Sequence, residues 1–165
     1  MIFDVMAILK TDGARIQLEG PLTPPSNLQG EGFVFSEDAR FSGELENIGG
    51  VLELSVCAEG TFTVPCGRCM KITEQRFSVS VHETLVKEGE EVSDPDEVIP
   101  FTGTSIDLDA VIWPNVFLAL DTKYLCKADC QGLCDRCGTD LNEGPCNCKD
   151  DDIDPRLAGL AKLLQ

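Results

Sequence analysis

Six of the nine cysteines in this 165-residue chain fall in the 23 residues from Cys126 to Cys148. Cys134-Asp-Arg-Cys137, then eight residues, then Cys146-Asn-Cys148 spaces four thiols as C-x2-C and C-x-C. Spacers this short bend the backbone so that thiolates, each about 2.3 Å from a metal, converge on one tetrahedral ion. Gly138 can take the positive φ that curls the chain back, and Asn142, Gly144 and Pro145 supply the reversal that returns Cys146 and Cys148. A second C-x2-C knuckle, Cys66-Gly-Arg-Cys69, lies far upstream between two strand-like runs. The chemistry these residues point to is structural coordination of Zn(2+), with eight sulfurs for two ions.

Two groupings of the eight are open. In the first, Cys134, Cys137, Cys146 and Cys148 hold one zinc, while Cys66, Cys69, Cys126 and Cys130 hold another and staple the β region to the later segment. In the second, the two C-x2-C knuckles form one ribbon site and leave Cys126, Cys130, Cys146 and Cys148 for the other ion. Cys57 is the remainder, read as a small buried strand residue. Closed four-thiolate sites leave no open coordination position, and His82, the only histidine, sits on the polar face of a strand, so a zinc hydrolase is excluded and no catalytic residue is expected. A rival of another class is a thiol redox protein or sensor using Cys66 and Cys69, which requires an exposed, low-pKa thiolate.

Cations lie beside the sulfurs: Arg68, Lys71, Lys127 and Arg136, with Arg76 a little further on. They can offset the net negative charge of a Zn(2+) ion held by four thiolates and are the candidate contacts for a partner or RNA. The chain as a whole is acidic, with 13 Lys and Arg against 29 Asp and Glu and a formal charge of −16. That charge repels nucleic-acid backbones at long range and favours basic partners, so RNA contact is expected only at the knuckles. The opening Met1-Ile-Phe-Asp-Val-Met has no export-signal character and no long apolar run occurs, so a cytoplasmic protein without a membrane span is expected. In a reducing compartment nine cysteines, an odd number, read as ligands and not as disulfides.

The elements that must position these thiols are mostly strands. Val5, Ile8 and Leu9 behind Asp4 predict a short helix ending near Gly13, and Arg15–Glu19 alternates as a strand before an irregular loop marked by Pro21, Pro24, Pro25 and Gly30. From residue 32 to 86 the alternation is β, with Phe41, Leu45 and Asn47, then Leu52, Leu54 and Val56, then Phe77, Val79 and Val81 each on one face, and a turn at Asn47-Ile-Gly-Gly. Such runs predict an antiparallel sheet curling into an open barrel or sandwich. An acidic, solvated loop follows at 87–97, and Asp107–Leu120 reads as an apolar helix that Pro114 should kink or restart, with Trp113, Phe117 and Leu120 in the core. Asp154-Pro155 opens a short amphipathic terminal helix with a leucine stripe. The fold class is α+β: a β-rich domain with acidic loop and helix over 1–125, and a cysteine-rich tail with its terminal helix over 126–165, packed on the first part.

Cys66-Gly-Arg-Cys69-Met, the run from Cys126 to Cys148 with its Gly132-Leu-Cys and Leu141-Asn-Glu-Gly, and Asp154-Pro-Arg-Leu157 together resemble the bacterial YceD family of large ribosomal RNA subunit accumulation proteins. The resemblance covers most of the length and is specific in the tail. It implies a cytosolic, non-catalytic factor needed for normal accumulation of large-subunit ribosomal RNA. Together with the acidity, this makes a ribosomal component or a basic assembly protein the expected partner, and no small-molecule substrate is expected. The positions it carries over are Cys66, Arg68, Cys69, Cys130, Cys134, Cys137, Cys146 and Cys148. Pro114 departs from the more continuous helix of family members.

Overall fold

The computed structural model describes residues 1–24, 32–90 and 94–148. The predicted terminal helix at 154–164 and the stretch around Pro25 and Gly30 lie outside them.

The chain runs β1 (Ile2–Asp4), α1 (Met6–Leu9), β2 (Arg15–Pro21), β3 (Val34–Phe35), β4 (Arg40–Ile48), β5 (Val51–Pro65), β6 (Ile72–Lys87), β7 (Val98–Phe101), β8 (Ser105–Asp107) and α2 (Leu108–Ala119). Six strands form one curled half-barrel sheet in the order β2-β4-β5-β6-β7, with β3 pairing the far half of β5; β1 and β8 form a separate small ribbon. All pairs are antiparallel except β6 with β7, where Thr84 faces Val98 and Lys87 faces Phe101 in a parallel ladder. The rest of the sheet is antiparallel, as the alternation predicts, and among the described residues this pair alone departs from it. The acidic loop, closed by a 3-10 turn at Pro95–Glu97 that the Asp94 side chain caps, returns the chain to the same end of the sheet.

The β4–β5 hairpin follows from its sequence. Ile48 pairs with Val51, and the two residues between, Gly49 and Gly50, have φ of 64° and 98°, the type I′ conformation that matches strand twist. Asn47 locks the corner: its Nδ2 donates to the carbonyls of Ile8 and Thr11 at 2.8 and 3.2 Å, and its Oδ1 accepts from Gly50 N–H at 2.8 Å. The sheet curls where glycines permit close approach. A Cβ on Gly43 would stand 2.1 Å from the Ser55 carbonyl oxygen, and one on Gly60 would meet the Phe77 ring at 3.0 Å.

Even-numbered residues of β5 point inward, from Leu52 through Val64, and pack under α1 and α2. In α2 the Asp107 side chain accepts from Asp109 N–H, and Leu108, Val111, Ile112, Trp113 and Val116 are buried. The helix does not restart at Pro114 but runs through it to Ala119. Loss of one helical bond costs about 3 kcal/mol, whereas each buried aliphatic or aromatic side chain contributes about 1.5–3 kcal/mol, so tertiary packing wins. Trp113 sits against Phe35 at 4.8 Å and Phe77 at 6.2 Å, as expected of a core residue, and Phe117 and Leu120 pack against the same core. Rings then continue toward the cysteines: Tyr124 meets Phe62 edge-on at 5.3 Å and Phe33 at 6.0 Å. That contact sets where the segment after α2 leaves the sheet.

Candidate metal centre

Beyond Tyr124, the chain returns to the open end of the β5–β6 pair. Pro65 faces Ile72, and the turn between these strands is the knuckle Cys66-Gly-Arg-Cys69. Within it Met70 N–H donates to the Cys66 carbonyl at 3.0 Å, and Cys66 N–H donates to the Lys71 carbonyl at 2.8 Å. Gly67 N–H donates to the Tyr124 carbonyl at 2.8 Å, so the aromatic anchor and the knuckle are one unit.

The sulfurs form two groups. Cys66, Cys69, Cys126 and Cys130 make one, and Cys134, Cys137, Cys146 and Cys148 the other, with ligand atoms inside each group all within 4.8 Å of one another. Of the two groupings open in the sequence, the structure has the first. In the first group Cys66 Sγ lies 3.8 Å from Cys130 Sγ and Cys69 Sγ lies 3.6 Å from Cys126 Sγ, across 64 and 57 residues. In the second Cys146 Sγ lies 3.5 Å from Cys134 Sγ. A disulfide requires about 2.05 Å, and all nine thiols are free. A tetrahedron with metal–sulfur bonds of about 2.3 Å has sulfur–sulfur edges of about 3.8 Å. The donor sets therefore fit a thiophilic divalent ion such as zinc in number, type and spacing.

Three cysteines of the first group are buried, with Cys66 at 0% exposure and Cys130 at 1%, and Cys126 is half-buried; the second group is more open, and Cys137 is exposed. Donors aim at the sulfurs: Arg68 N–H at Cys66 Sγ, 3.5 Å, and Asn142 Nδ2 at Cys130 Sγ, 3.4 Å. Hydrogen bonding from the Cys69 backbone N–H is the main influence drawing the Cys66 thiol down to about 6, while burial pushes Cys126 up to about 12. In the second group the Thr139 hydroxyl leads in drawing Cys137 down to about 6, and interaction with the Cys137 sulfur leads in pushing Cys148 up to about 12. Four crowded sulfurs cannot all ionise unaided, so protons are shared unevenly. A divalent cation at their centre would remove that repulsion.

The basic residues do not form one patch. The Arg68 guanidinium is used internally, donating from Nη1 to the Cys130 carbonyl at 2.6 Å. Lys71 and Lys127 are exposed; hydrogen bonding from the Asn142 backbone N–H leads in holding the Asp140 carboxyl below its ordinary value, and the charges of the two lysines add to it. Arg136 lines a cleft of about 340 Å³ over the second group, with Leu133, Asp135, Leu141 and Pro145. Arg76 is separate from the knuckles: it lies on β6 opposite Thr61, in a groove with Asp38, Arg40 and Glu59. Cys57 is only half-buried on the outer sheet face, its Sγ 3.6 Å from Ser78 Oγ, because odd positions of β5 point outward. His82 is exposed on that face, with Nδ1 3.2 Å from Ser55 Oγ. Asn142 has the sequence signature of a turn residue only, and its donation to a sulfur of the other group has no signal in the local pattern.

Comparison with known proteins identifies the family. Residues 54–164, which include all eight clustered cysteines, match the family model described as large ribosomal RNA subunit accumulation protein YceD. Proteins named only as uncharacterized from Mycobacterium bovis and Mycobacterium tuberculosis are each 29% identical over 99% of this chain and 81% of their own length. One from Mycobacterium leprae is 28% identical over 99% of this chain and 77% of its own. No solved structure matches significantly. The chain thus belongs to the YceD family of large ribosomal RNA subunit accumulation proteins.

Proposed function

We propose that this protein is a non-catalytic cytoplasmic factor that supports accumulation of large-subunit ribosomal RNA by binding a ribosomal component or a basic assembly protein, with two structural zinc ions shaping the binding surface. The observation that carries this reading is the convergence of Cys66 and Cys69 with Cys126 and Cys130 from positions 57 to 64 residues apart. A zinc ion there would join the β5–β6 turn to the segment after α2. Structural zinc contributes roughly 10–16 kcal/mol of apparent folding free energy at neutral pH, against about 5–15 kcal/mol for a whole domain. On this reading residues 1–125 are a β domain and the remainder is its cysteine tail.

The charge distribution supports a basic macromolecular partner: glutamates at 19, 53 and 59 are exposed on the sheet, in a chain of net charge −16. Direct RNA contact is confined to the exposed cations near the sulfurs, Lys71, Lys127 and Arg136, with Arg68 reserved for structure and Arg76 offering a second, separate contact. The redox alternative needs a thiolate that solvent can reach, and burial of Cys66 and Cys69 weighs against it. Among the described residues no helix is long and apolar enough to cross a membrane. Depleting the protein in its native host should lower mature large-subunit RNA while bulk transcription continues; unchanged subunit profiles would count against the proposal.

A further inference from the structure

Two observations link the sulfur groups to each other and not only to the sheet. Asn142 lies in the loop between Cys137 and Cys146, within the second group, yet its Nδ2 points 3.4 Å from Cys130 Sγ, a sulfur of the first. Its Oδ1 meanwhile accepts from Gln131 N–H at 2.9 Å, the residue after Cys130, and Nδ2 also donates to Asp140 at 2.6 Å. The amide is therefore held at three points and cannot swing away without breaking the loop. Arg68 makes the reciprocal link. It stands inside the first knuckle; its carbonyl accepts from Leu133 N–H at 3.1 Å, the residue before Cys134, and its Nη1 reaches the Cys130 carbonyl. Gly132 is pressed so close that a Cβ there would lie 3.2 Å from the Arg68 carbonyl oxygen.

We infer that the two sulfur groups take up metal as one coupled unit, with Asn142 and Arg68 as positioning residues through which filling of the Cys134 group tightens the Cys66 group. This rests on reading both groups as metal sites. Filling the Cys134 group fixes the 138–145 loop and with it the Asn142 amide, which is then preorganised to donate to a metal-bound Cys130 thiolate. A thiolate accepting such a bond holds its charge better, and outer hydrogen bonds of this kind are worth about 10–100-fold in metal affinity. The linkage is reciprocal, so filling the Cys66 group, by fixing Arg68 and Leu133, tightens the Cys134 group by the same factor.

The test is zinc competition against a chelator of known affinity, with native mass spectrometry counting ions on the full chain. Wild type should take two ions with the one-ion form scarce at half loading. Cys137→Ser with Cys148→Ser, which abolishes the second group, should hold its one remaining ion about 10–100-fold more weakly. Asn142→Asp is isosteric and outside both ligand sets; it should still take two ions but lose a similar factor. Combined with the double serine variant it should add little, because the link is already cut. Equal retention by wild type and the double serine variant, or an Asn142→Asp effect that is the same with and without the second group, would overturn the coupling while leaving two metal sites intact. Wild type that takes no ion at all would overturn the metal reading itself. Circular dichroism of the sheet checks that each variant is folded; should the serine variant not fold, wild-type loading decides, since a one-ion form making up about half of the chains or more at half loading would overturn the coupling.

Discussion

Met70 and Gly138 occupy the same position in two knuckles built alike. Each follows the second cysteine of a C-x2-C pair with left-handed backbone, φ 61° and 69°, and each donates its N–H to the carbonyl of the first cysteine, at 3.0 and 2.8 Å. In both, the first cysteine's N–H donates to the carbonyl one residue further on, Lys71 or Thr139, at 2.8 and 2.9 Å. Among the described residues Met70 is the one non-glycine with positive φ.

Left-handed backbone costs an L-residue roughly 1–2 kcal/mol, while glycine adopts it freely at some cost in unfolded-state entropy. Met70→Gly should therefore raise stability by about 1 kcal/mol, and Gly138→Met should lower it by a similar amount. Urea midpoints of the metal-loaded protein check the pair. A destabilised Met70→Gly protein would mean that the exposed methionine side chain matters more than its backbone.

The curl of the sheet depends on Gly43. Because a Cβ there would lie far inside contact distance of backbone atoms of Ser55 and Val56, no rotamer can relieve it. Gly43→Ala should destabilise by on the order of 3 kcal/mol, measurable as a lowered urea midpoint. Gly49→Ala, with nothing within 4 Å, carries only the cost of its positive φ and should do less harm.

Asn47→Ala removes three hydrogen bonds at a buried corner and leaves the Ile8 carbonyl without this donor. About 2–4 kcal/mol should be lost. Hydrogen exchange should show α1 and the β4–β5 turn opening together, since one side chain holds both.

Lys71→Glu with Lys127→Glu tests the contact surface without touching a ligand. Both side chains are exposed, so the fold should be kept; because their charges stand beside the first sulfur group, metal content is measured alongside, and Lys71→Gln with Lys127→Gln serves as the milder pair. If they meet RNA or an anionic part of the partner, the variant should fail to restore large-subunit RNA in depleted cells. Arg76→Glu should have a separate, additive effect, since Arg76 lies in a different groove.

Much of the centre was legible because local spacing limits where thiols can go. Four cysteines in the 15 residues from Cys134 to Cys148 can meet with little loop entropy, and once they do Cys66 and Cys69 are left with Cys126 and Cys130. The Gly49-Gly50 turn was legible for a similar reason, since two successive positive φ values call for glycine. Where long-range packing decides, the pattern gave less. β1 and β8 have three residues each and exist through pairing with each other across the chain. The parallel place of β7 depends on where the acidic loop returns, which no periodicity encodes. Pro114 reads locally as a break, yet Trp113 and Val116 hold both sides of it in the core. Cys57 looked like an interior residue by type, but its parity along β5 puts it outside. Asn142 looked like a turn former, and only folding brings its amide to Cys130.

The most direct measurement is the metal content of the full chain, purified reduced without chelator, with its fold followed as a strong chelator is added. The expected result is two zinc ions per chain, and loss of the contact between the β5–β6 knuckle and the 126–148 segment as they leave. A chain that is metal-free as isolated, fully folded and indifferent to chelator would contradict it.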